Sequence, residues 1–300
     1  MIDAVLLVGC GIVAGVFGSL LGLGGGILIV PILTLGFGFA VIKAVGVSLI
    51  CVIVTSGAAA GVYLERRVAN LRLGMTLELF TAIGALVGGL VAFLIPERTL
   101  ELLFAGLLAY VAVTMARRRD SPRTLEPAGP VAPAVESAVT AAAVDSPVTA
   151  PSGAARPAST DDAAPRRPFL ETLSGPDYRV RRVPFGIVGS LVAGLASALL
   201  GIGGGIVKVP VMHVVMGVPL RVATATSNLM IGITASASAI IYLIRGGIDP
   251  YAAAPTAIGV FIGASIGSRA AHRVDLRILR GLFVVILLYT AWQMLQRGLS

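Results

Sequence analysis

The chain is written in long apolar runs separated by short polar breaks. Apolar positions dominate residues 3–37, 40–64, 75–95 and 99–116, and again 183–217, 221–244, 251–270 and 277–296. A helix that crosses a bilayer needs about 20 such residues. Residues 117–182 read differently: Ala, Pro, Ser and Thr dominate and aromatics are scarce. Such a segment cannot bury enough apolar surface to offset chain entropy, which predicts a largely disordered linker. Three units follow: a first membrane repeat at 1–116, a linker at 117–182 and a second membrane repeat at 183–300.

Two of the runs are interrupted in the same way. Leu20-Leu21-Gly22-Leu23-Gly24-Gly25-Gly26-Ile27-Leu28-Ile29-Val30-Pro31 returns 179 positions later as Leu199-Leu200-Gly201-Ile202-Gly203-Gly204-Gly205-Ile206-Val207-Lys208-Val209-Pro210. Each glycine costs a helix about 1 kcal/mol relative to alanine, so both runs predict a helix broken at its glycines. In lipid, broken backbone is tolerated only where it is buried in protein or lines a cavity. The repeat continues: Ala44–Ser48 aligns with Ala223–Ser227, Tyr63 with Tyr242 and Arg66 with Arg245. Thr81-Ala82-Ile83-Gly84 then matches Thr256-Ala257-Ile258-Gly259 after a small deletion, and Gly106 matches Gly281.

Loop charge sets the orientation. Arg117, Arg118 and Arg119 and then Arg179, Arg181 and Arg182 flank the linker and place it in the cytoplasm. Counting crossings from there puts Arg66, Arg67 and Arg72 inside, with His272 to Arg280. Residue 37 falls outside and residue 217 inside. Met1 has no nearby positive charge and no basic n-region follows it, so an external start without a removable signal peptide is expected. Each broken run then enters and leaves on one face as a glycine-tipped, re-entrant hairpin. Its second arm of about 12 residues spans roughly 18 Å, short of a hydrocarbon core of about 30 Å. One hairpin plus three crossings per unit makes the second unit inverted. The expected fold is an all-α polytopic membrane protein with two inverted repeats and about eight hydrophobic segments.

Composition agrees. Of 300 residues 56% are hydrophobic and 13% charged, against about 25% charge in a soluble domain. The net charge of +8 comes from arginines in loops, which topology explains without a nucleic-acid partner. Cys10 and Cys51 lie inside apolar runs, with neither metal-ligand spacing nor a disulfide framework, and read as apolar fillers. Two histidines leave no constellation for an enzyme, and no cofactor or metal is expected.

Candidate chemistry gathers at the tips. Gly24, Gly25 and Gly26, and Gly203, Gly204 and Gly205, each lead into a new half-helix, whose N-terminal N–H groups favour an anion. Two tips face to face would hold it from both sides. Glycine spacings elsewhere, Gly57–Gly61, Gly84–Gly88 and Gly259–Gly263–Gly267, read as helix packing. Lys208 replaces Ile29 of the first copy just beyond the second tip, an intramembrane cation unless it snorkels to the surface. His213 lies farther along the arm. Ser48, Thr224, Thr226, Ser227 and Asn228 open the helix after each hairpin, to line an ion site or to bond neighbouring helices. Asp3, Glu65, Glu78, Glu97, Glu101, Asp249 and Asp275 all read as close to segment ends. With no carboxylate at mid-depth, the fixed charge there is positive and favours an anionic substrate.

The duplicated Gly-x-Gly-Gly-Gly-x-x-x-x-Pro at 22–31 and 201–210, the Ala/Thr/Ser stretches at 44–48 and 223–228 and the two four-segment halves resemble the TauE/SafE family of sulfite exporters. The resemblance covers both membrane halves but not 117–182, a longer linker than many members carry. It implies a plasma-membrane permease for sulfur-containing anions such as sulfite, thiosulfate or sulfonates, exporting in some members and importing in others. The expected substrate-binding set is Gly24, Gly25, Gly26, Ser48, Gly203, Gly204, Gly205, Lys208, Thr226, Ser227 and Asn228. Rocking of the repeats would give alternating access. The alternatives are a non-transporting scaffold whose linker recruits a partner, and an anion channel.

Overall fold

The computed structural model describes residues 2–21, 25–65, 70–117, 180–270 and 276–299. Most of the expected linker, the tip residues Gly22, Leu23 and Gly24, and Arg66, Arg67 and His272 lie outside the described residues. The first half comprises α1 (Ile2–Leu21), α2 (Gly26–Pro31), α3 (Val41–Glu65), α4 (Leu71–Ala92) and α5 (Glu97–Arg117). The second comprises α6 (Val183–Leu200), α7 (Gly205–Pro210), α8 (Leu220–Ile244), α9 (Pro250–Ala270) and α10 (Leu276–Leu299). No strand occurs among the described residues. Both short helices run into one π-helical turn, Ile32–Gly36 and Val211–Val215. Each turn opens directly after a proline, whose missing N–H leaves the helical ladder one rung short.

Among the described residues seven helices, α1, α4, α5, α6, α8, α9 and α10, hold an apolar stretch long enough to cross a membrane. Their outward faces are apolar too: Val5 and Val13 on α1, Met75, Leu79 and Ile83 on α4, Phe185 and Val188 on α6, Val285 and Trp292 on α10 are all exposed. Helices apolar on every side belong in lipid, and this is a multi-pass membrane protein.

The 179-residue repeat holds throughout the helices. Val41 pairs with Leu220, Leu71 with Pro250 and Glu97 with Leu276 as helix starts. No deletion intervenes, so the sequence match of Thr81 to Thr256 is one helical turn out of register. Thr81 is equivalent to Val260, Gly84 to Gly263, and Gly106 to Val285 rather than Gly281. Packing confirms the register. A Cβ on Gly84 would stand 2.2 Å from the Leu191 carbonyl oxygen, and one on Gly263 would stand 2.1 Å from that of Ile12, itself the equivalent of Leu191. A four-residue slip keeps the same helical face, and small residues recur every four positions, so both registers looked alike in sequence.

The halves interlock. α1 packs along α9, α6 along α4, α3 against α8 and α5 against α10. Apolar burial cannot drive helices together in lipid, so close approach rests on small residues. Gly11 and Gly15 face α9, Gly259 and Gly263 face α1, Gly194 of α6 faces Thr81 and Ala85 of α4, and Gly84 and Gly88 of α4 face Leu191 and Leu195 of α6. Gly57 is different, with nothing within 4 Å of an added Cβ, and the surroundings of Gly61 lie outside the described residues.

Topology gives a first expected result. A reporter fused within 117–182 should read cytoplasmic, and one fused after Ser300 should read extracytoplasmic, since a hairpin and three crossings separate them. The same reading at both sites would make 183–217 a crossing.

Candidate functional site

The chain breaks where only glycine fits. Gly25 and Gly204 precede α2 and α7 with φ of 72° and 73°, a left-handed backbone that strains any residue with a Cβ. The two tips then meet. Ser48, fully buried on α3, lies 3.2 Å from the Gly26 carbonyl oxygen and 2.7 Å from that of Gly201, so its one proton serves both tips. A Cβ on Gly26 would stand 2.8 Å from the Gly201 oxygen. Val45 and Val52 of α3 and Ile231 of α8 close around Gly201 and Gly203.

Hydroxyls also gather at the second tip. Ser227, the equivalent of Ser48, is fully buried, and so is Ser197 on α6; neither hydroxyl has a hydrogen-bond partner among the described residues. A Cβ on Gly205 would stand 3.5 Å from the Ser227 oxygen, and one on Gly204 would stand 3.4 Å from the Ser197 Cβ. A buried polar group left without a partner costs about 1–3 kcal/mol, so two beside one tip call for an explanation. Ser197 escaped the sequence reading, although it lies four residues before Gly201 and thus on the helical face that meets the break.

The other members of the polar stripe make hydrogen bonds within and between the helices. Thr226 accepts from the Asn70 amide at 3.0 Å and ties α8 to the start of α4. The Asn228 carbonyl accepts from Ser56 at 3.0 Å and ties α8 to α3. Thr224 bonds back to the Leu220 carbonyl at 2.9 Å. His213 is exposed, with Nδ1 2.9 Å from the Val218 carbonyl oxygen. Gly24 lies outside the described residues.

Lys208 is buried, as an intramembrane cation would be, but it is not alone. Its ammonium donates to Glu78 Oε2 of α4, and Thr234 of α8 donates to Oε1 of the same carboxylate at 2.5 Å. Lys208, Glu78 and Thr234 are 2%, 4% and 0% exposed. The sequence reading placed Glu78 near a segment end, and this is corrected. Asn70 caps α4 by accepting from Leu73 N at 3.1 Å. The helix therefore starts at Leu71, one turn before the apolar run, and Glu78 lies about 10 Å into it. It shares the inward face of Gly74, Leu77 and Thr81, while Met75 and Leu79 face outward. The fixed charge at this depth is consequently a neutral pair rather than a lone cation.

Three comparisons bear on what this geometry serves. The family model described as "Sulfite exporter TauE/SafE" matches residues 7–294. The chain is 23% identical to "Probable membrane transporter protein YunE" of Bacillus subtilis (strain 168), over 98% of both chains. It is 25% identical to "Probable membrane transporter protein MamO" of Magnetospirillum gryphiswaldense, over 94% of this chain and 43% of that protein. It is also 30% identical over 114 residues to "Sulfite exporter TauE/SafE family protein 6" of Arabidopsis thaliana, 38% of this chain and 26% of that one. No solved structure gives a significant match. The family match runs through both interlocked halves and both glycine tips, and the relatives carry transporter names: the chain belongs to the TauE/SafE sulfite exporter family of membrane transporters.

Proposed function

We propose that the protein is a permease for a small sulfur-containing anion, such as sulfite, thiosulfate or a sulfonate, and that the anion binds at the second glycine tip. The unpartnered hydroxyls of Ser197 and Ser227 beside Gly204 and Gly205 carry this reading. An oxyanion accepts hydrogen bonds from such donors, and a charged acceptor makes each bond stronger. The tips touch at Gly26 and Gly201, so an anion reaches the space between them only when the halves part. Alternating access by rocking of the two repeats supplies that separation.

The test is transport by purified protein in liposomes with labelled sulfite, thiosulfate and taurine, on wild type and on Ser197→Ala with Ser227→Ala. The expected result is saturable flux of at least one anion in wild type. The double variant should bind it about tenfold or more weakly, one lost hydrogen bond to a charged group being worth about 1.5–3 kcal/mol. Its melting temperature should not fall, because neither hydroxyl has a protein partner to lose. Absence of flux for every anion in wild type would refute the permease, and unchanged affinity in the double variant would move the site elsewhere.

A further inference from the structure

The buried charges occur in only one of two equivalent places. Lys208 and Glu78 sit 179 positions from Ile29 and Ala257, which are 1% and 9% exposed in the same hydrophobic core. Thr234 corresponds to Thr55. The same architecture therefore packs an isoleucine and an alanine at the positions equivalent to this ammonium and carboxylate. Buried ion pairs bring little net stability over a well-packed apolar pair, so packing does not explain these charges.

Their place suggests what they do. Lys208 lies one turn beyond the second tip, its amide donating to the Gly204 carbonyl at 3.1 Å. Ser227, Ile231 and Thr234 form one stripe of α8: Ser227 and Ile231 lie against Gly205, and Thr234 bonds Glu78. The anion site and the ion pair are thus neighbours on one helix face. The pair is neutral as it stands. An anion arriving beside it would give the buried site a net negative charge, which low dielectric penalises. A proton on Glu78 restores neutrality and breaks the ion pair. The Lys208 ammonium, on its flexible four-carbon stem, can then turn to the anion.

We propose that Glu78 is a proton-binding site and that the transported anion moves together with one proton. A proton from water on the loading side forms the O–H of the Glu78 carboxylic acid as the anion takes Lys208. Both leave on the other side, and the Glu78–Lys208 pair reforms. No second titratable group competes at Glu78 among the described residues. α6 contributes no ionisable side chain, and α7 contributes Lys208. α8 brings Thr234 and, two turns on, Tyr242, whose phenol donates to the Ala198 carbonyl at 2.8 Å. Arg72 of α4 and His213 beyond α7 are exposed.

This proposal rests on the anion reading of the second tip, and the experiment separates the two. Liposomes containing the protein are given radiolabelled methanesulfonate, a strong acid whose charge does not change with pH, and labelled sulfite, at clamped membrane potential. Anion exchange is read at equal pH and net uptake is read with the outside acidic. Wild type should accumulate the anion above its external concentration under the pH gradient, with internal acidification. Glu78→Gln keeps the Thr234 contact but cannot ionise. Whatever its exchange rate, uptake should lose its response to the gradient. Should that variant fail to fold, Glu78→Ala with Lys208→Ile copies the equivalent residues Ala257 and Ile29 and should lose the same response. Exchange by wild type without any response to the gradient overturns the coupling and leaves the permease standing. A full response in either variant overturns it as well. No exchange of either anion by wild type overturns both readings.

Discussion

Lys208→Met should destabilise the protein by about 3–5 kcal/mol at neutral pH, the cost of breaking a buried ion pair by removing one partner. The methionine would fill the space of the stem, so the loss comes from Glu78, a carboxylate with only Thr234 left to donate to it. An unpaired cation, the situation expected from sequence, would have predicted the opposite: normal folding and lost affinity alone. Three companions fix the cause. Glu78→Gln in the Lys208→Met background removes the stranded charge and should recover most of the loss. Glu78→Ala with Lys208→Ile should approach wild type, because Ala257 and Ile29 already pack at the equivalent positions. Acid should help Lys208→Met in particular, since a protonated Glu78 no longer needs the ammonium, and its stability relative to wild type should rise as pH falls. Thermal unfolding in lipid nanodiscs across pH reads all of these. A Lys208→Met protein within about 1 kcal/mol of wild type at neutral pH would place the pair in the class of exposed ion pairs and remove the basis for treating it as desolvated.

Much of this fold could be read from the chain because membrane helices leave a coarse signal. Apolar length gave the segments, and the twin Gly-Gly-Gly runs gave the breaks, since only glycine takes the backbone of Gly25 and Gly204 without strain. What failed was register and facing. The slip from Val260 to Thr256 moved a match by one turn, a displacement to which a 3.6-residue period is nearly blind. Glu78 was misjudged for a related reason. Its depth was measured from the start of the apolar run at 75, while the helix starts at the Asn70 cap and includes the turn Leu71–Gly74, which carries Arg72. Counting from an Asn four residues ahead of Gly74 would have shown a carboxylate two turns inside a helix, on the face of Gly74, Thr81 and Gly88. The partnership with Lys208, 130 residues away, depends on which helices adjoin, and loop lengths do not carry that. Ser197 was hidden similarly: a serine in an apolar helix gains meaning only when the break beside it folds back.

Gly194→Ala should be among the most disruptive single substitutions in the transmembrane core. Its added Cβ would stand 1.9 Å from the Thr81 carbonyl oxygen and 2.8 Å from the Ala85 amide nitrogen. Both are backbone atoms of α4 and cannot turn away as a side chain does, so α6 and α4 must separate. Overpacking of this kind costs typically 1–3 kcal/mol and sometimes more, and here it also loosens the Gly84 and Gly88 contacts along the same crossing. Gly15→Ala at the equivalent place on α1, with its clash at 2.4 Å to Val260, should be destabilising but less so. Gly106→Ala is the contrast. Nothing lies within 4 Å of its added Cβ, and replacing a mid-helix glycine with alanine gains up to about 1 kcal/mol of helix propensity. Melting temperatures should therefore fall in the order Gly106→Ala, wild type, Gly15→Ala, Gly194→Ala. The Gly194 change should also reach the ion pair, because Glu78 lies one turn from Thr81 and moves with α4 away from Lys208. Gradient-driven uptake should drop further in Gly194→Ala than the fraction of folded protein accounts for, while in Gly15→Ala, whose crossing carries Ile29 and Ala257 instead of charges, uptake should track folding. Equal melting temperatures for Gly194→Ala and Gly106→Ala would mean that α4 and α6 part without cost, and that the glycine seam does not hold the two repeats in register.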